Sequence, residues 1–121
     1  MVTSKASGDL GELIAAKFIS SLGYKIIDKN FRGKFGEIDI IAKDGNSLVF
    51  IEVKKRINSK FGTPEEAITK TKLKRIIKTI DYYLYSHGLN EGKNKIRIDV
   101  IAISGNQGNI SLNHIKNVGL S

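Results

Sequence analysis

Three charged side chains interrupt two apolar runs between Gly36 and Arg56, and their types suit divalent metal chemistry. Asp39 lies in the first run, and Glu52 and Lys54 lie in the second. Successive side chains of a strand point to opposite faces, so Glu52 and Lys54 share a face. Mg²⁺ commonly binds one or two carboxylates together with water and substrate phosphate. An amine beside such an ion can orient or deprotonate water, or neutralise charge on phosphorus, so the pattern indicates phosphodiester hydrolysis.

The turn between the two runs decides whether Asp39 reaches Glu52. The Asp44-Gly45-Asn46 segment contains residues that tolerate positive φ, as a tight hairpin requires. An even number of loop residues places Asp39 on the face of Glu52, either directly opposite or one pair displaced. A three-residue loop places them on opposite faces unless a bulge restores the register. We expect the same face.

A simpler interpretation exists for the same residues. A Glu-x-Lys pair is common in proteins, so Glu52 and Lys54 could form a salt bridge on a sheet while Asp39 pairs with another base. The upstream acid, a hairpin of suitable length, the apolar surroundings and the basic helix downstream strengthen the nuclease interpretation, and both interpretations stay open on these residues alone.

Length, charge and composition restrict the class of protein. The 121 residues suit a single domain over residues 1–121 with its own core. The chain has 20 Lys and Arg against 12 Asp and Glu, a net charge of +8, which favours nucleic acid as a partner. It has no cysteine, no signal-peptide pattern and no apolar run near the ~20 residues that span a bilayer, so we expect a cytoplasmic protein without a membrane role.

Periodicity predicts the elements that carry these residues. Residues 1–7 are expected to form a flexible arm. A helix is predicted from Asp9 to Leu22, where Gly23 ends it, and a strand from Tyr24 to Asn30.

A long helix is predicted after the charged strands. Thr63 as N-cap, Pro64 at the first helical position and Glu66 closing a capping box mark its start, and Gly88 follows its end near His87.

The order α-β-β-β-α-β-β predicts an α/β fold with a mixed central sheet of about five strands flanked by two main helices. The long helix can make the right-handed crossover that lays a strand over Lys95 to Ile103 parallel to an earlier strand. Ile110 to Ile115 is predicted to form an edge strand. His87 and His114 have no partners at metal-ligand spacing, so capping or surface roles are expected for both.

Basic residues precede and follow the charged strands. The loop from Phe31 to Gly36 carries two bases and two aromatic rings that could hold phosphate and stack on a base, or its Phe side chains could fill the core. On the long helix, Lys70 lies on the side of Ile77, so the helical wheel favours Lys70 over Lys72 for an inward role. The candidate nucleic-acid contacts are Arg32, Lys34, Lys55, Arg56, Lys60, Lys70 and Lys72.

Glu12 lies beside Ala15 and Ile19 on the flank of the apolar arc of the first helix. Its carboxylate could therefore be held near the edge of the core. A first-turn Glu stabilised by the helix dipole is the favoured interpretation from the helical pattern alone.

Asp39, twelve further residues and then Glu52-Val53-Lys54 resemble the core motif of the restriction-endonuclease-like nucleases, although Ile38 stands where the motif often has proline. Residues 8–56, 62–72 and 97–103 resemble the YraN-like family of uncharacterised bacterial proteins (UPF0102), which is similar to the archaeal Holliday-junction resolvases. The resemblance implies a restriction-endonuclease-like core and metal-dependent hydrolysis of DNA, branched or damaged DNA included. It also implies Mg²⁺ or Mn²⁺ as cofactor and, by analogy, a homodimer.

The resemblance also implies roles for single residues. It replaces the helix-dipole interpretation of Glu12, and it places Lys72 on a family lysine, in conflict with the helical wheel. The implied metal ligands are Asp39, Glu52 and Glu12, the implied catalytic lysine is Lys54, and Glu37, on the strand face of Asp39, is expected to support the ligands.

Two other function classes stay open. One is a non-catalytic nucleic-acid-binding module on a nuclease scaffold, which would bind in a salt-dependent way without cleavage. The other is a basic adaptor for an acidic protein, which no feature of the sequence favours.

Overall fold

The computed structural model describes residues 4–56, 68–89, 95–106 and 108–119 of the chain. These residues form two helices and five strands in the predicted order α-β-β-β-α-β-β. The elements are α1 (Ser4–Ser21), β1 (Lys25–Gly33), β2 (Gly36–Asp44), β3 (Ser47–Arg56), α2 (Lys70–Ser86), β4 (Lys95–Asn106) and β5 (Asn109–Ile115).

The five strands form one mixed sheet in the order β1-β2-β3-β4-β5. Neighbouring strands are antiparallel except β3 and β4, which pair in parallel from Ser47 opposite Lys95 to Arg56 opposite Ser104. The α/β class and the parallel pair on either side of the long helix are therefore confirmed. Neither helix is long and apolar enough to cross a bilayer.

Each face of the sheet packs against one helix, and β3 shows the alternation most clearly. Val49 and Ile51 belong to the hydrophobic cluster that includes α1, whereas Leu48 and Phe50 belong to the cluster that includes α2. All four side chains are at most 2% exposed. Continued along the strand, this alternation turns Glu52 toward the α2 layer.

The helix boundaries differ from the predicted ones. Helix α1 begins at Ser4, so residues 4–7 are helical rather than an arm, and residues 1–3 lie outside the described range. Thr69 is extended, with φ −78° and ψ 163°, and its side chain accepts a hydrogen bond from the Lys72 N–H. Helix α2 therefore begins at Lys70 rather than at Pro64. The predicted capping box over residues 63–66 falls outside the described residues.

The loop predicted over residues 31–36 is narrower in the structure. Gly33 pairs with Gly36, so Lys34 and Phe35 alone form the tip of the β1–β2 hairpin. Phe31 and Arg32 belong to β1.

The two histidines have different roles. His87 is the C-cap of α2, and its Nδ1 lies 3.0 Å from the Tyr83 carbonyl oxygen, which confirms a capping role. The prediction for His114 is wrong, because its side chain is only 7% exposed. β5 turns this residue inward against the Phe18 ring, at 5.8 Å, and toward a buried acid of β4.

That acid, Asp99, is fully buried and is the centre of an ionic network. Its carboxylate accepts hydrogen bonds from Arg97 Nε at 2.9 Å, His114 Nε2 at 2.7 Å and the Asn117 N–H at 3.0 Å. Burial favours a raised pKa for Asp99, but the hydrogen bonds from His114, Arg97 and Asn117 outweigh it and hold the pKa below its ordinary value.

Arg97 connects this network to residues outside β4, on the face of the sheet that packs against α1. Its Nη1 lies 3.0 Å from Asp44 Oδ2, and its Nη2 donates to the Tyr24 hydroxyl at 2.6 Å. The Asp99 network thus joins β4 to the β2–β3 turn and to the residue that precedes β1.

Candidate metal centre

The β2–β3 hairpin has a two-residue turn. Asp44 pairs with Ser47, and Gly45 and Asn46 connect them, with Gly45 at φ 60°. An even loop was the condition for bringing Asp39 and Glu52 together, and the structure confirms it.

The hairpin sets Asp39 against the backbone of β3. The ladder ends with Ile40 opposite Ile51. Ile38 and Ile40 belong to hydrophobic clusters on opposite faces of the sheet, so the alternation of β2 is interrupted at Asp39. The Val53 N–H donates to Asp39 Oδ2 at 2.7 Å. Since a main-chain donor holds one oxygen, the orientation of the Asp39 carboxylate is tied to the strand that carries Glu52 and Lys54.

Three carboxylates from two elements converge at this point. Glu12 of α1 and Glu37 and Asp39 of β2 each offer an oxygen within 4.8 Å of the others, and all three residues are half-buried. We call them the carboxylate cluster. Glu12 therefore lies near the core edge, and Glu37, predicted to support the ligands, belongs to the cluster itself.

Lys29 of β1 pairs with Ile40 of β2, and Phe31 pairs with Ile38. Asn30 therefore lies opposite Asp39. With its Nδ2 facing the cluster, it donates to Glu12 Oε2 at 2.9 Å and to Glu37 Oε1 at 3.1 Å. Its φ of 52° is left-handed, a conformation that Asn tolerates better than most residues. Asn30 thus holds two of the three carboxylates in place.

Burial and the neighbouring carboxylates raise the pKa of Asp39. Burial and the charge of Glu52 raise this pKa to about 7, with smaller contributions from Glu12 and Glu37, and the Val53 N–H opposes the shift. A divalent cation would relieve that repulsion. The cluster offers oxygen ligands alone, so its chemistry fits Mg²⁺ or Mn²⁺.

Glu52 lies next to the cluster but is ion-paired. Its side chain is 10% exposed, and Oε1 lies 2.6 Å from Lys72 Nζ and 3.4 Å from Lys54 Nζ. Burial and the neighbouring Lys72 lower the pKa of Lys54. Burial also acts against the Lys72 ammonium, but its bonds to Glu52 and Lys54 outweigh burial and raise its pKa. Lys54 is therefore the more readily deprotonated of the two lysines.

The prediction that Lys70, rather than Lys72, points inward from α2 is wrong. Lys70 is exposed at the first helical position, whereas Lys72 is half-buried and reaches Glu52. The buried stripe of α2 runs through Ile76 and Ile80, and Ile77 is 37% exposed. The face of α2 that packs on the sheet is therefore rotated away from Ile77, compared with the face predicted by the helical wheel. This rotation brings Lys72 toward the sheet.

Three of the other predicted nucleic-acid contacts lie at exposed positions of β1, the β1–β2 turn and β3. Arg32 is exposed, with Nε 3.5 Å from Glu37 Oε2, and Lys34 is exposed at the hairpin tip. Lys55 is exposed on β3. Its side chain lies beside Gly11 of α1, where an added Cβ would be 3.8 Å from Lys55 Cδ. The Arg56 side chain and Lys60 lie outside the described part of the structure.

Comparison with known proteins identifies the family. The chain matches the family model described as uncharacterised protein family UPF0102 over residues 11–103. The chain belongs to UPF0102. The resemblance inferred from the sequence is thereby confirmed at the level of the family. The matched range includes the carboxylate cluster, Asn30 and the ion pairs of Glu52.

Several UPF0102 proteins are similar to this chain over most of its length. One from Clostridium botulinum (strain Kyoto / Type A2) is 47% identical over 116 residues, which are 94% of each chain. One from Thermodesulfovibrio yellowstonii is 44% identical over 110 residues, 91% of this chain and 92% of the relative. One from Sulfurihydrogenibium sp. (strain YO3AOP1) is 47% identical over 93 residues, 77% of this chain and 79% of the relative.

Asn30 is the residue of this UPF0102 site that the sequence prediction missed. The signal is the two-residue turn at Lys34 and Phe35, where the sequence analysis predicts a loop over residues 31–36. Gly33 and Gly36 flank a two-residue turn, and counting back from that pair places Asn30 opposite Asp39.

Proposed function

We propose that this UPF0102 protein is a metal-dependent endonuclease that hydrolyses DNA phosphodiesters, with its sheet serving as a restriction-endonuclease-like core. The observation that carries the proposal is the convergence of Glu12, Glu37 and Asp39 beside a Glu52–Lys54 pair. Oxygen ligands next to an amine of lowered pKa are the groups that metal-assisted hydrolysis requires. The net charge of +8 supports a polyanionic substrate.

The proposed roles follow from the contacts. Glu12 and Asp39 bind Mg²⁺ or Mn²⁺. Glu37 and Glu52 are neighbouring carboxylates that add negative charge around the ion. A cation bound there supplies positive charge for the scissile phosphate and makes water more acidic. Lys54, with its lowered pKa, accepts a proton from the attacking water or, when charged, neutralises the phosphate.

The remaining roles concern positioning and substrate. Lys72 forms an ion pair with Glu52, and Glu52 in turn positions Lys54. Arg32, Lys34 and Lys55 bind the phosphates on either side of the cleavage point. By the resemblance to the resolvases, branched DNA is the first substrate to test, and a cytoplasmic homodimer is the proposed working form.

A second candidate function is nucleic-acid binding without cleavage. Glu52 favours it, since its carboxylate oxygen is already shared by the ammonium groups of Lys54 and Lys72, an arrangement that needs no metal. Such a module binds DNA with an affinity that falls steeply with salt.

Cleavage assays separate the two functions. Supercoiled plasmid, a four-way junction and linear duplex are incubated with Mg²⁺, with Mn²⁺ or with chelator. We expect cleavage by wild type that requires the metal, and its loss in Glu52→Ala and Lys54→Ala. Lys25→Ala, which removes an exposed lysine at the start of β1, serves as the matched control and keeps its activity.

Two outcomes would contradict parts of this proposal. Equal cleavage by wild type, Glu52→Ala and Lys54→Ala would exclude these residues as the catalytic pair. Salt-dependent binding without cleavage of any substrate would favour the binding module.

Metal binding is also expected to raise the melting temperature by roughly 10 °C when the metal is present at a hundred times its dissociation constant. A ligand at a hundred times its dissociation constant stabilises the folded state by about 2.7 kcal/mol, and ~1 kcal/mol shifts Tm by several degrees in a domain of this size. Thermal unfolding with and without Mn²⁺ measures the shift. Glu12→Gln should reduce it, while Asp81→Asn, on an exposed acid of α2, should not. An unchanged shift in Glu12→Gln would remove Glu12 from the metal site.

A further inference from the structure

A cleft of about 380 Å³ opens between the tip of the β1–β2 hairpin and the first turns of α2. Its walls include Phe35, Glu37, Thr69, Thr71, Lys72 and Arg75. Glu37 also belongs to the carboxylate cluster, and Lys72 is the partner of Glu52. The cleft therefore adjoins the candidate metal centre, and its volume lies in the range of sites that bind small organic groups.

Two glycines bring the hairpin tip onto α2 and leave Phe35 at the edge of the cleft. A Cβ at Gly33 would lie 3.2 Å from Tyr82 Cδ2, and one at Gly36 would lie 3.7 Å from Thr79 Oγ1. The backbone at Gly33 and Gly36 therefore lies directly against the Tyr82 and Thr79 side chains of α2. Phe35 remains 45% exposed.

The two aromatic residues of the hairpin have separate roles. Phe31 packs against the α2 cluster, with its ring centroid 5.0 Å from that of Tyr83. The Phe35 ring instead lies near two ammonium groups, Lys78 Nζ at 4.8 Å and Lys34 Nζ at 6.0 Å from its centroid. An exposed ring with cations around it is the arrangement that binds single-stranded nucleic acid, because bases stack on the ring and phosphates pair with the cations.

We propose that this cleft holds one unpaired nucleotide of a DNA strand, with its base stacked on Phe35 beside the scissile phosphate. The bases of a continuous duplex are already stacked on each other, so the ring can receive only a base that is outside the helix. Arg75 and Lys72 supply positive charge for the flanking phosphates, and the hydroxyls of Thr69 and Thr71 supply hydrogen bonds to the base edge.

The resulting substrate class is DNA with unpaired nucleotides, such as gaps, flaps or open junctions. That substrate preference rests on the proposed nuclease function, whereas the binding of an unpaired nucleotide does not require cleavage. The two proposals can therefore fail separately.

Tryptophan fluorescence reports directly on stacking, because the chain contains no tryptophan. Phe35→Trp is titrated, in chelator, with single-stranded DNA of about eight nucleotides, a length in the usual range of site sizes. We expect saturable quenching of its emission. Tyr85→Trp, at a residue of α2 that is 85% exposed, is the matched control and should not be quenched. Unquenched emission of Phe35→Trp at saturating DNA would overturn the proposal.

Affinity measurements complete the test. Phe35→Ala should weaken binding to gapped or single-stranded DNA by roughly 5- to 150-fold, the usual effect of losing one stacked base. Phe35→Tyr should restore the affinity, and affinity for continuous duplex should change less than about twofold. Equal losses on duplex and gapped DNA would overturn the proposal.

Cleavage is measured separately in Mn²⁺. Quenching of Phe35→Trp without cleavage by wild type would support the cleft and reject the endonuclease. Cleavage of continuous duplex as fast as gapped DNA would support the endonuclease and overturn the preference for substrates with unpaired nucleotides.

Discussion

Asparagine in place of Asp39 is expected to reduce metal-dependent DNA cleavage by about 10³-fold. A catalytic metal contributes several kcal/mol to the stabilisation of the transition state, and each ~1.36 kcal/mol corresponds to a factor of ten in rate. The substitution removes a charged ligand but keeps an oxygen that can accept the Val53 N–H, now 2.7 Å from Asp39 Oδ2. The fold of the hairpin should therefore persist while the metal site is lost.

Single-turnover cleavage of a junction by Asp39→Asn, with Asp81→Asn as control, measures this effect. Asp81 is an exposed acid of α2, so its replacement changes the net charge by the same amount without touching the cluster. Equal single-turnover rates for Asp39→Asn and wild type would exclude Asp39 as a metal ligand.

Alanine in place of Asp99 is expected to lower the free energy of unfolding by about 3 to 5 kcal/mol, the usual cost of removing one partner of a buried ion pair. The change leaves the Arg97 guanidinium and the inward-facing His114 without their shared acceptor. Urea unfolding followed by circular dichroism measures the loss. Asp81→Ala, at an exposed position, should change the value by less than about 0.5 kcal/mol.

This stabilisation should depend on pH in a definite direction. The pKa of Asp99 is lower in the folded chain than its ordinary value of 3.8, so the contribution is complete above that value. It is lost as pH falls through the folded-state pKa. The difference in stability between wild type and Asp99→Ala should therefore be constant above about pH 5 and narrow at lower pH. A difference that stays constant down to pH 2 would show that the charge of Asp99 does not stabilise the fold.

The strands that carry the site could be predicted because their information is local. Apolar alternation fixed the faces of β3, and Gly45 provided the turn that sets its register with β2. The even loop then predicted that Asp39 lies near Glu52, and in the structure the charge of Glu52 contributes to the raised pKa of Asp39. Counting pairs across the turn could not place Asn30, because the sequence analysis predicts a loop over residues 31–36 instead of a two-residue turn between Gly33 and Gly36.

The remaining features depend on tertiary contacts. The phase of α2 is set by the N-cap at Thr69 and by packing on the sheet, so periodicity alone could not show that Lys72 rather than Lys70 faces inward. The Asp99 network joins residues far apart in the chain, including Asp44 and His114. Its members look like ordinary surface residues until the sheet is assembled.

The carboxylate cluster and the ion pairs of Glu52 together contain residues from the helices on both faces of the sheet. Glu12 comes from the helix on one face of the sheet, and Lys72 comes from the helix on the other. A folding intermediate in which only one helix has docked therefore lacks either a carboxylate of the cluster or the partner of Glu52. The carboxylate cluster and both partners of Glu52 are therefore present together only when both helices are packed on the sheet.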